Sequence, residues 1–182
     1  MRVHRPWCAP CRIREGGVER HPEQRFAALA QLHALADAVP PRYRAMILTA
    51  GFGGLRQGEL FALRRGDVDL EIGVIHVRRK RLRLASGQTI EGDPKSQAGR
   101  RTVALPAPAP SELTRHIAIH GMKGPDGLIF TGATGVALDR TNFRERVWMP
   151  ASEKVGVDGL RFHDLRHTAG TFAAHTGRRP GN

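Results

Sequence analysis

The 182 residues carry 40% hydrophobic side chains and 29 lysines and arginines against 17 acids, a formal charge of +12. This supplies apolar material for one ordinary core, is too short for two full domains, and selects polyanionic partners, nucleic acid ahead of acidic membrane surfaces. No run approaches the roughly 20 apolar residues of a spanning helix, and two cysteines fall far short of a secreted disulfide scaffold, so a soluble chain of a reducing cytoplasm is expected.

Residues 1–22 scatter Pro6, Pro10, Gly16, Gly17 and Pro22 among arginines without a sustained period, and read as a linker or arm. From Glu23 to Val39 the apolar residues Phe26, Leu29, Leu32, Leu35, Ala36 and Val39 recur at three- and four-residue steps, which predicts an amphipathic helix stopped by Pro40 and Pro41. Pro41 fits the first turn of a second helix running toward Gly51, and the glycines of Gly51–Gly54 break it. A short helix over Gln57–Arg64 is expected to end at Gly66 as a C-cap. Between Asp67 and Leu105 the β-rich runs Val68–Leu70, Val74–Val77 and Thr102–Leu105 predict a small antiparallel sheet, with 86–101 between them. Ser111 is placed to cap a helix reaching His120, and Asp139 or Thr141 one that carries Phe143, Val147, Trp148 and Ala151. Phe162 to His175 reads as the last helix, and 178–182 as a tail. The expected fold is mainly α with a small antiparallel β-sheet (α+β), its domain spanning 23–177.

Three places carry chemistry. Arg56 lies in Gly-Leu-Arg-Gln-Gly-Glu-Leu between two helices, where a planar guanidinium can point outward, although a surface arginine beside a helix cap would look the same. His163 and Arg166, in His-Asp-Leu-Arg-His-Thr, stand three apart and so share a helix face able to meet one phosphate; a solvated capping cluster is the bland alternative. Lys95 lies near a β-hairpin, followed by Arg100 and Arg101. The run Arg78, Arg79, Lys80, Arg81, Leu82, Arg83 can be a solvated edge, a phosphate-contacting surface, or both.

In order and type these elements resemble the tyrosine recombinases, or phage integrase family, in which an arginine in a G-L-R-x-x-E-L context, a hairpin lysine and an H-x-x-R pair follow one another. The resemblance runs from about Glu19 to Gly177, and His-Asp-Leu-Arg-His-Thr is its most specific block. It implies breakage and rejoining of double-stranded DNA without a metal or other cofactor. Arg56 and Arg166 would hold the charge of the phosphorane, Lys95 would protonate the leaving 5′ oxygen, and His163 would assist proton transfer. The DNA-contacting set is expected to be Arg78, Arg79, Lys80, Arg100 and Arg101, with oligomers or mixed synaptic complexes assembling on DNA.

After H-x-x-R the pattern departs from the family, whose L-G-H and late nucleophilic tyrosine have no counterpart here. The single tyrosine, Tyr43, precedes Arg56 by 13 residues in a helical run, so the chain is read as truncated before its nucleophile. A DNA-binding remnant without chemistry is therefore the alternative, and a partner's tyrosine acting in trans a further one. Trp7-Cys8-Ala9-Pro10-Cys11 matches a thiol redox motif, but no strand or βαβ pattern surrounds it. A zinc site with His4 and His21 lacks paired spacing, so neither redox function nor metal binding is expected.

Overall fold

The computed structural model describes residues 26–84, 86–92 and 100–175. The expectations for Cys8, Cys11 and Lys95 lie outside these residues. The first helix, α1, is Leu29–Ala38 and buries Leu32, Leu35 and Ala36 of the apolar series, whereas Phe26 lies before the helix and, like Leu29 in its first turn, is exposed, contrary to expectation. Pro41 opens α2 (Pro41–Gly53), which is buried along most of its length and packs against α1, α4 (Ala109–His120) and α7 (Leu165–His175). Its uniform burial makes α2 the central helix around which the domain is built.

The third helix, α3, is Gln57–Phe61. Gly66 does not cap it, contrary to expectation. Instead it sits in a 3-10 turn, Arg65–Asp67, where its N–H donates to Pro125 O at 2.8 Å and the Arg65 N–H to Gly127 O at 3.0 Å. The strands β1 (Val68–Asp69), β2 (Val74–Val77) and β5 (Arg101–Ala104) form the predicted antiparallel sheet in the order β1-β2-β5. Its buried face is supplied by Ile75 and Val77. A second ribbon, β3 (Lys80–Arg83) against β4 (Thr89–Gly92), occupies ground that the sequence reading left as a charged run and a loop.

The remaining helices are α4 (Ala109–His120), α5 (Arg140–Phe143), α6 (Met149–Val155) and α7 (Leu165–His175). Ser111 is inside α4 rather than at its cap, its hydroxyl donating to Pro108 O at 2.8 Å. Asp139 does cap α5, accepting from the Asn142 N–H at 2.9 Å, and a π-type turn (Arg144–Trp148) joins α5 to α6. Phe143 centres an aromatic cluster, edge-on to Tyr43 at 5.6 Å, Phe61 at 5.7 Å and Phe162 at 5.3 Å. Such edge-to-face pairs add directional energy to the apolar burial that ties α2, α3 and α5 to the turn before α7. No helix among the described residues is long and apolar enough to cross a membrane.

Candidate phosphate-binding site

At the end of α2 the chain must turn sharply, and Gly54 does so in the left-handed region at φ 62°. A side chain there would also meet α7, since a β-carbon would lie 3.2 Å from Ala169 Cβ and 4.0 Å from Arg166 Cγ. Glycine therefore lets the α2–α3 junction close onto α7, which brings Arg56 near Arg166. Arg56 occupies the N-cap position of α3. Its N–H donates to Glu59 Oε2 at 2.8 Å, and its Nη1 to Glu59 Oε1 at 3.2 Å, while about half of the side chain, 53%, stays exposed.

Glu59 itself is only 4% exposed and accepts a two-pronged pair from Arg101, Nη1 to Oε1 at 3.0 Å and Nη2 to Oε2 at 2.9 Å. Burial alone would raise the Glu59 pKa, but the Arg101 fork, the Arg56 amide and both positive charges outweigh it and hold the carboxyl below its ordinary range. Arg101, expected at a DNA phosphate, thus commits both terminal nitrogens to a buried acid. The Glu59 contact was missed because only its local half is visible in sequence, as an acid three residues after a cap. Its other half comes from a strand 42 residues away.

His163 lies not on α7 but in the 3-10 turn before it (Phe162–Asp164), and it is exposed. Asp164 is buried and fixes this turn: it accepts the Arg161 N–H at 2.9 Å and the Arg161 guanidinium at 2.9 and 3.2 Å. Partial burial lowers the His163 pKa, reinforced by His167 and Arg166 and opposed by Asp164, so the ring is neutral near pH 7. Arg166, on the first turn of α7, is half-buried, and its Nη1 is buried without a hydrogen-bond partner. Desolvation lowers its pKa, followed by repulsion from Arg56 and Arg101, with Glu59 the opposing attraction. Three guanidiniums and one carboxylate therefore share one electrostatic neighbourhood.

The β3–β4 ribbon walls one side. A β-carbon on Gly58 would stand 2.5 Å from Arg81 O, so glycine permits α3 to rest directly on β3. Arg83 bridges from β3 to the α5 cap, donating to Asp139 at 3.1 Å and Thr141 at 3.0 Å, and Arg64 reaches Glu91 of β4 at 2.7 Å. Between these parts runs a groove of about 250 Å³ whose lining includes Arg56, Lys80, Arg81, Arg140 and His163. Arg78 and Arg79 converge on the buried Asp67, at 3.7 and 3.0 Å. With Arg100, Arg101 and His76 they line a second, open basic hollow of about 550 Å³. Tyr43 is not at the site; its ring is buried against Phe143.

A mainly helical domain with a small sheet, an arginine at the α2–α3 junction and a histidine–arginine pair at the start of the last helix defines the catalytic domain of a tyrosine recombinase. The profile of the Phage integrase family matches residues 25–177, and the chain belongs to that family. It is 34% identical over 170 residues to a putative prophage phiRv2 integrase of Mycobacterium tuberculosis, covering 92% of this chain and 45% of that protein. Similarity to a XerC-like tyrosine recombinase of Caldanaerobacter subterraneus is 29% over 149 residues, 71% of this chain and 38% of that one. The chain thus spans less than half the length of these relatives. Among solved structures, the Tn1549 transposon integrase in complex with transposon right end DNA superposes with a TM-score of 0.73 at 19% identity, covering 88% of this chain and 56% of that one. XerA recombinase superposes at 0.66 with 22% identity, over 98% and 55%. These likenesses carry the fold.

Proposed function

We propose that this chain binds duplex DNA and holds one phosphodiester between Arg56 and Arg166 for strand exchange in site-specific recombination or integration. The observation that carries this reading is the buried, unpartnered Nη1 of Arg166 in a neighbourhood where Arg56 and Arg101 already repel it. Native proteins rarely leave a buried donor unsatisfied, and a like-charged cluster is stabilised by an anion in its midst. A phosphodiester satisfies both, and the growing charge of a phosphorane satisfies them better, which is the condition for lowering a barrier rather than only binding. His163, neutral and exposed at the groove, would accept or return a proton at a phosphate oxygen. Lys95 is assigned the protonation of the leaving 5′ oxygen on the family resemblance.

The exposed Arg78 and Arg100 and the half-buried Lys80 would extend the contact along the DNA backbone, and the +12 charge would steer the approach. Complexes of neighbouring folds with DNA, such as the Tn1549 transposon integrase with transposon right end DNA, support DNA as ligand. The burial of Tyr43 favours a second reading: these 182 residues bind and hold the phosphate, while the tyrosine that attacks it comes from elsewhere, a continuation of the chain or another subunit. A nicked DNA substrate separates the two readings. Incubated with the chain alone and with the chain extended by a family-like tail bearing L-G-H and a tyrosine, it should give protein–DNA adducts on a denaturing gel only with the extended form, and Arg166→Ala should abolish them. An adduct from the unextended chain that vanishes with Tyr43→Phe would reverse the assignment.

A further inference from the structure

We propose that Arg101 is a positioning residue for the phosphate site, acting through Glu59 on Arg56, rather than a DNA ligand. The inference rests on the reading of Arg56 and Arg166 as phosphate holders. Arg101 is the first residue of β5 and pairs across the sheet with the core residue Val77, so its main chain is anchored. From there its fork spans to α3 and grips both oxygens of Glu59. The same two oxygens hold the main-chain N–H and the guanidinium of Arg56. A route of directional bonds thus runs from the sheet to Arg56, while Gly54 sets the approach of Arg166 independently.

Two plainer accounts explain less. A capping carboxylate needs only the bond to the Arg56 N–H, and it works at the surface; it does not call for burial to 4% or for a bidentate partner from another element. A direct phosphate contact would need donors, and the two terminal nitrogens of Arg101 are already engaged, with its side chain 16% exposed. Charge points the same way. Three guanidiniums against one carboxylate leave a net +2 in the cluster, and pairing Arg101 with Glu59 leaves that +2 on Arg56 and Arg166, the charge that a doubly negative phosphorane requires. Only arginine supplies the fixed fork; lysine keeps the charge and loses the two-point grip.

The test compares wild type with Arg101→Lys, Arg101→Ala and Glu59→Gln by proton–nitrogen NMR of the Arg56 amide, and by titration of a fluorescent 30-base-pair duplex at several salt concentrations. Thermal unfolding checks that each variant folds, and Arg101→Lys decides if Arg101→Ala does not. Arg101→Lys is expected to move the Arg56 amide proton upfield, in the direction that Glu59→Gln moves it, and to weaken duplex binding roughly tenfold without altering the salt slope. In an Arg56→Ala background it should cost nothing further. An unmoved Arg56 amide in folded variants would overturn the proposal. So would a loss that adds fully to that of Arg56→Ala and removes roughly 0.9 from the log-log salt slope, since Arg101 would then hold a phosphate of its own. If Arg56→Ala leaves DNA binding untouched, the functional reading fails, and the Arg56 amide still decides whether Arg101 controls Arg56.

Discussion

Four buried side-chain nitrogens among the described residues lack a hydrogen-bond partner, and two of them, Arg166 Nη1 and His116 Nδ1, belong to side chains whose pKa desolvation lowers. Their surroundings differ. His116 is 5% exposed in α4, with its Nε2 2.9 Å from Ile129 O and its ring 4.9 Å from Phe130 and 5.3 Å from His120. It pins α4 to the 128–131 segment as a neutral ring. Arg166 cannot become neutral, and its neighbours Arg56 and Arg101 share its sign. An unsatisfied nitrogen on a ring that can shed its charge is a modest structural debt, whereas one on a guanidinium that cannot, set among like charges, marks a place built for a counter-ion.

The comparison breaks most visibly in paired substitutions. Arg56→Ala with Arg166→Ala should weaken duplex binding roughly a hundredfold, at 1.5–3 kcal/mol for each lost charged hydrogen bond reduced by their sharing one phosphate, with little loss of stability. His116→Ala should do the reverse, costing about 3 kcal/mol of folding free energy by analogy with large-to-small core substitutions and leaving the affinity of the folded protein unchanged. Denaturant unfolding beside fluorescence titration reads both. An equal effect of the two changes on DNA binding would erase the distinction.

A pH series sharpens it. Burial first, then His120, Arg42 and Arg115, lower the His116 pKa against the opposing Ile129 carbonyl bond, and His120 is shifted the same way by burial, Arg42 and Arg115. A histidine held neutral in the fold binds fewer protons than in the unfolded chain. Stability is thus full above the unfolded value of about 6.5 and falls as the pH drops from there toward the folded pKa. The midpoint of thermal unfolding should decline between pH 7 and 5, and His116→Phe should flatten that decline; an unchanged profile would assign the acid sensitivity to other groups. The smallest effect is expected at Thr168, whose buried hydroxyl oxygen accepts the Ala27 N–H at 2.9 Å and ties α7 to the segment before α1. Thr168→Val should cost about 1 kcal/mol by denaturant unfolding, with DNA binding retained.

Much of this was legible before the structure. Helices α1 and α7 announced themselves through apolar spacing, because each buries one face against α2, and Arg56, His163 and Arg166 stood out because their motifs, in this order, resemble those of the tyrosine recombinases. The β3–β4 ribbon was not legible. Its residues are mostly exposed or half-exposed, with Leu82 opposite Ile90 on an open surface, so no alternation of buried and exposed residues betrays it, and its cations read as a solvated run. Nor could sequence separate Arg101 from Arg100. The two are adjacent and chemically identical, and only the sheet register turns one of them onto Glu59. Gly66 misled for a related reason: its role is a backbone contact with 125, a pairing of distant loops that no local signal encodes.

The most direct test of the central claim is the salt dependence of duplex binding for wild type and for Arg56→Ala/Arg166→Ala. If the two guanidiniums hold one phosphate together, the double variant should lose roughly 0.9 from the magnitude of the log-log slope, the share of a single phosphate, and either single variant should lose most of it. An unchanged slope and affinity in the folded double variant would contradict the account.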